Sequence, residues 1–250
     1  SITTHLVTGG TLSRILVMIR RSRKDKSGKE GIYLNDNGPY DPLFNELWLE
    51  THEASDQGVT IMLMMGGAGL AYGELFSDFE TYYPLLKDLI TEKSWIKGID
   101  LDIEESVTLD NVKMLMNRLV KDFGNDFIIT MAPVSTSLMH DGSSMAGFCY
   151  KELYLSEEGK HIQWFNTQCY YSFSCKTYKS IVNNGYPPEK IVIGMESGQY
   201  NEETFSNALC EVTKIKQEYP DYGGVYDWEY PNAPPNKNDP SQWAKLMKQI

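Results

Sequence analysis

Short apolar runs, bounded by glycine, proline or charged residues, recur along this 250-residue chain at spacings of roughly 25–35 residues. Residues 2–7 and 14–19 are rich in β-branched side chains and predict strands. Residues 59–65 (VTIMLMM) lie between Gly58 and Gly66-Gly67 without polar alternation, which predicts a strand buried on both faces. Residues 96–104, 127–131, 161–171, 190–195 and 223–230 bring the set to eight. Between them the apolar spacing turns helical. Asp41-Pro42 supplies an N-cap and a first-turn proline for a helix carrying Leu43, Phe44, Leu47 and Trp48. Further helices are predicted over 76–93, 108–123, 178–184, 202–219 and 241–250. Residues 20–30 read as an exposed charged loop and 35–38 as a turn. Strands alternating with helices imply a parallel sheet, and eight such units predict an α/β fold, a single (β/α)8 TIM barrel over residues 1–250. The first unit is short for that pattern, and the stretch after Met131 is irregular.

One strand breaks the apolar rule. In residues 97–105 (KGIDLDIEE), Asp100, Asp102 and Glu104 alternate with Ile99, Leu101 and Ile103. The three carboxylates therefore share one strand face, ~7 Å between neighbours. Taken alone, the pattern fits an acidic solvent face, a metal site, or a cluster whose like charges raise one another's pKa and keep a proton for acid catalysis. A barrel strand has no solvent face, so ionised groups are tolerated mainly at the C-terminal rim, where barrel enzymes hold their sites. Gly66-Gly67, the pair Gln168 and Tyr170, and Trp228 all fall at the same predicted rim.

Composition narrows the partners. A net charge of −11 argues against nucleic-acid phosphates and anionic membrane surfaces, and no apolar run reaches a membrane span. An uncharged, sugar-like or peptide-like substrate fits better, and the 16 Tyr and 5 Trp suit stacking on sugar rings. Cys149, Cys169, Cys175 and Cys210 form no C-x-x-C pair, and His5, His52, His140 and His161 no zinc motif, so neither metal nor cofactor is expected. Whether the cysteines pair is open at this stage. The chain opens at Ser1 without an apolar signal segment, as either a processed mature protein or a chain trimmed for expression would.

These residues carry a resemblance. From about Leu12 to the C-terminus the chain resembles glycoside hydrolase family 18, the chitinases and endo-β-N-acetylglucosaminidases. The family's D-x-x-D-x-D-x-E signature falls on Lys97, Asp100, Asp102 and Glu104, its Gly-Gly motif on Gly66-Gly67, its M-A-P on Met131, Ala132 and Pro133, and its late tryptophan on Trp228. The segments GIDLDIEE, FNTQCYY, DFGNDFIITMAPV and GGVYDWEYPNAPP are similar to the microbial and fungal endo-β-N-acetylglucosaminidase branch. The resemblance implies retaining hydrolysis in which the substrate's own 2-acetamido oxygen is the nucleophile. It implies Glu104 as general acid and base, Asp102 as partner of the acetamide N–H, Asp100 as the group tuning Asp102, and Tyr170 as donor to the acetamide oxygen. Gln168, Trp228, Gly66, Gly67 and Met131 become substrate-binding positions. The implied partner is an N-acetylglucosamine-containing glycan or oligosaccharide, acted on by a monomer, and secretion follows the family's habit.

Two other readings stay open: a chitinase, and an inactive sugar-binding barrel. Lys97 stands where the family has an acid. Its ammonium either keeps Asp100 ionised or points outward from the strand's start. Arg20, after the second strand, either contacts substrate or is solvated.

Overall fold

The computed structural model describes residues 4–9, 12–19, 21–24, 30–34, 37–69 and 71–250. Arg20 and part of the 35–38 turn lie outside them. The strands are β1 (Thr4–Gly9), β2 (Leu12–Ile19), β3 (Arg21–Lys24), β4 (Glu30–Tyr33), β5 (Thr60–Gly66), β6 (Ile96–Asp102), β7 (Ile128–Met131), β8 (Ile162–Gln168), β9 (Ile191–Glu196) and β10 (Gly224–Trp228). The helices are α1 (Asn45–Asp56), α2 (Tyr72–Ser77), α3 (Phe79–Glu92), α4 (Leu109–Phe123), α5 (Ser135–Met139), α6 (Tyr150–Leu155), α7 (Cys175–Asn183), α8 (Phe205–Glu218) and α9 (Ser241–Met247).

The molecule is an α/β fold whose curled, mostly parallel sheet is flanked by helices. Strands β5 to β10 pair in sequence order, each parallel to the next, with helices in the crossovers. β2 joins β5 in parallel, and β1 runs antiparallel to both β2 and β10. The opening therefore departs from a regular βα repeat: only two residues separate β1 from β2, too few for a helix. The charged segment expected to be a loop instead contributes a hairpin, β3 paired antiparallel with β4.

Two apolar layers flank the sheet, and strand parity sorts side chains between them. Met62, Met64, Ala132, Trp164, Val192 and Tyr226 form a cluster on the concave face, with Tyr170 and Trp228 packed against it. Ile61, Leu63, Ile99, Leu101, Ile129, Met131, Phe165, Ile193 and Val225 face the other way and join Leu86, Leu115, Ile181 and Val212 from the helices. Helix α4 shows why the crossovers end where they do. Thr108 accepts the Asn111 N–H at its start (3.2 Å), and Gly124 closes it at φ 86°, a conformation costly for a side-chain-bearing residue.

Candidate active site

Asp100 and Asp102 point to the concave face, as the two-residue period requires, and both are buried. Asp100 lies in register with Thr130 on β7. Its Oδ1 accepts from the Thr130 hydroxyl and from Asn166 Nδ2 (2.9 Å), whose own Oδ1 accepts from the Trp164 indole N–H (3.0 Å). Asp100 Oδ2 has no hydrogen-bond partner among the described residues. Burial pushes the Asp100 carboxyl up to about 6, against the lowering effect of the Thr130 and Asn166 hydrogen bonds. Asp102, one step nearer the rim, is held well above the usual carboxylate range by burial first, then by the charges of Glu104 and Asp100.

Gln168, the last residue of β8, ties the upper carboxylates together. Its Nε2 donates to Asp102 Oδ1 (3.0 Å), to the Ala132 carbonyl (2.9 Å) and, more weakly, to Glu104 Oε1 (3.3 Å). Two hydrogens serve three acceptors, so one bond is shared, and the long one is to Glu104. Asp102 and Glu104 thus sit on either side of a single amide nitrogen. Glu104 is only half-buried, just past the end of β6.

The expected aromatic residues gather beside this group. Tyr170 and Trp228 stack at 5.9 Å with their planes 27° apart, and the Tyr170 hydroxyl lies 3.2 Å from that of Tyr226. Tyr226 needs Gly194 opposite it, because a Cβ there would lie 2.1 Å from the Tyr226 ring. Burial holds both phenols well above their ordinary pKa, so they act here as neutral donors and acceptors.

Gly66 and Gly67 reach the same place by a different route. At Gly66 (φ 111°) a Cβ would lie 2.0 Å from the Asp102 carbonyl and 2.7 Å from the Tyr72 ring, so the chain itself fills that space. At Gly67 the Cβ position lies 3.3 Å from Asp102 Oδ2. The two glycines let the end of β5 close on Asp102. Met131 corrects the sequence reading: its parity turns it to the helix layer, where it is fully buried, and Ala132 is the M-A-P residue on the concave face. Lys97 is likewise settled. Its side chain is exposed at the start of β6, and its ammonium donates to the Ser94 carbonyl (2.8 Å), away from the carboxylates.

Sequence reasoning missed Thr130, Asn166 and Tyr226. The available signal was parity: Asn166 lies two residues before Gln168, and Tyr226 two before Trp228. It also left Glu105 without a role. The Glu105 carboxylate accepts from the backbone N–H groups of Tyr72 (2.6 Å) and Gly73 (3.0 Å), capping α2. Among the described residues no group of three or more His, Cys, Asp or Glu is arranged to hold a metal ion, and all four cysteines are free thiols.

No family sequence model matches the chain, and no curated protein does so by sequence. Solved structures do. A fungal endo-β-N-acetylglucosaminidase from glycosyl hydrolase family 18 is 33% identical and superposes with a TM-score of 0.80, over 93% of this chain and 85% of that one. The chain belongs to glycosyl hydrolase family 18. A second structure, the chitinase ChiC from Aspergillus fumigatus, is 32% identical with a TM-score of 0.76, over 94% of this chain and 87% of that one. A family 18 chitinase from Pseudoalteromonas aurantia, at 18% identity and a TM-score of 0.68, shares the fold over 94% of this chain and 91% of that one. Like its family, this chain is a hydrolase of glycosidic bonds.

Proposed function

We propose that the protein is an endo-β-N-acetylglucosaminidase that cleaves the β-1,4 bond within the chitobiose core of N-linked glycans by retaining, substrate-assisted hydrolysis. The observation that carries the reading is the Asp102–Gln168–Glu104 bridge. Its two carboxylate oxygens lie on one amide nitrogen at 3.0 and 3.3 Å, closer together than the ~6.5–9.5 Å that an inverting pair keeps open for water. Glu104, reachable from solvent, donates its proton to the leaving oxygen as the C1–O bond breaks. The 2-acetamido oxygen bonds to C1 in its place and forms an oxazolinium ring. Asp102 holds the acetamide N–H and balances the ring's charge, Asp100 tunes Asp102, and Tyr170 donates to the acetamide oxygen. Gln168 and Trp228 hold the sugar. Water then attacks C1, reopens the ring and returns a proton to Glu104.

Support for these roles comes from the different surroundings of the carboxyls: two buried groups with raised pKa values next to one open to the rim. The sheet is read as a single catalytic (β/α)8 barrel with a reversed first strand. The pairing of β1 with both β2 and β10 supports that reading.

The likeness to the A. fumigatus chitinase favours a second reading, cleavage of chito-oligosaccharides. Incubating a high-mannose glycoprotein and chito-oligosaccharides with wild type and with Glu104→Gln separates the two. Glycan release by wild type alone is expected. Cleavage of chito-oligosaccharides only would replace the first reading with the second, and sugar binding without cleavage of either would overturn both.

A further inference from the structure

Immediately after Tyr170 the chain makes a tight turn, closed by the Ser172 N–H donating to the Cys169 carbonyl (3.0 Å). Tyr171, third in that turn, has φ 60° and is the one non-glycine residue with positive φ among the described residues. Glycine or asparagine is the ordinary occupant of such a position, because a Cβ crowds the backbone there. The conformation is held from outside. Gln199 Oε1 accepts the Tyr171 N–H (2.8 Å), and Gln199 Nε2 donates to Glu196 Oε2 (2.5 Å), which latches the turn to the end of β9.

The ring gains little in return. Tyr171 is 89% exposed, so a bulky residue occupies a strained position without burying its side chain. Stability alone would favour glycine. What the residue does have is its place, one residue beyond the Tyr170–Trp228 stack at the rim of the candidate site.

We propose that Tyr171 is a sugar-stacking platform that binds a further hexose unit of the oligosaccharide, beyond the unit held by Gln168 and Trp228. The assignment rests on the glycosidase reading above. A free aromatic face takes the C–H face of a pyranose ring, and the latch fixes the backbone that carries it, so binding has only the side chain to order.

Isothermal titration in the Glu104→Gln background tests it, with a high-mannose glycopeptide and chitohexaose as extended ligands and the disaccharide chitobiose as the short one. Tyr171→Gly is expected to weaken the extended ligand that wild type cleaves by roughly tenfold and to leave chitobiose within about twofold. Tyr171→Phe should bind like the parent, since the ring is what acts. The melting temperature of Tyr171→Gly should match or exceed the parent's, because glycine adopts positive φ freely. Equal binding of the extended ligand by Tyr171→Gly, an equal loss for chitobiose, or a lower melting temperature would overturn the platform while leaving the glycosidase reading intact. If wild type cleaves none of these sugars and the Glu104→Gln parent binds none, both fall together.

Discussion

Asp102 and Glu104 are separated by one residue in the sequence and by one amide nitrogen in space, yet their surroundings differ sharply. Asp102 is buried among carboxyls and held well above the usual carboxylate range by that burial and by its charged neighbours, whereas Glu104 meets the rim. Below them, Asp100 is kept near a pKa of about 6 because hydrogen bonds from Thr130 and Asn166 offset part of its burial. Removing one of those bonds must raise the pKa further. Thr130→Val, nearly isosteric, is therefore expected to move the acidic limb of the kcat/KM profile to higher pH by about one unit. Lys97→Ala, its control, should leave both limbs in place, since Lys97 is exposed and bonded to Ser94. Superimposable profiles for wild type and Thr130→Val would remove Asp100 from the titrating group. At this scale the acidic strand was legible because alternation of charge with Ile and Leu is rare and directional. Thr130 was not, since one polar residue in an apolar strand carries no local mark, and Asn166 was hidden among Gln163, Thr167 and Gln168 on the same strand. Met131 was misread because a motif match ignores parity, and Thr130, in register with Asp100, places Met131 on the opposite face.

Helix boundaries were harder to read than strands. The periodicity over 76–93 predicts one helix, but the structure has two, α2 and α3, broken at Asp78 (φ −150°, ψ 72°). The start of α2 is set from 33 residues beyond Tyr72, where Glu105 reaches across to cap it. A six-residue helix has little stability of its own and depends on such a cap. Glu105→Ala is expected to cost about 1–2 kcal/mol in urea unfolding, with Glu105→Gln recovering part of the loss by keeping one acceptor oxygen. Unchanged unfolding of Glu105→Ala would show that α2 holds without its cap. The hairpin of β3 and β4 was hidden for a related reason: its charged composition matches an exposed loop, and only strand pairing distinguishes the two.

Across the whole molecule, the regular recurrence of apolar runs made the mostly parallel sheet legible, because parallel strands covered on both faces tend to read as near-continuous apolar runs. The reversed β1 was not, since strand direction leaves no trace in a short β-branched run. The acidic charge fits a neutral sugar substrate, and among the described residues no helix is long and apolar enough to cross a membrane. The sheet's office is to hold three carboxyls, an amide and a stacked aromatic pair at one end, and the chemistry inferred from them makes a stereochemical claim. The most direct check is proton NMR of the reducing-end anomer formed in the first minutes of cleavage, before mutarotation. Substrate-assisted hydrolysis predicts the β-anomer first, with no product from Glu104→Gln on the same timescale. Initial appearance of the α-anomer would contradict the account.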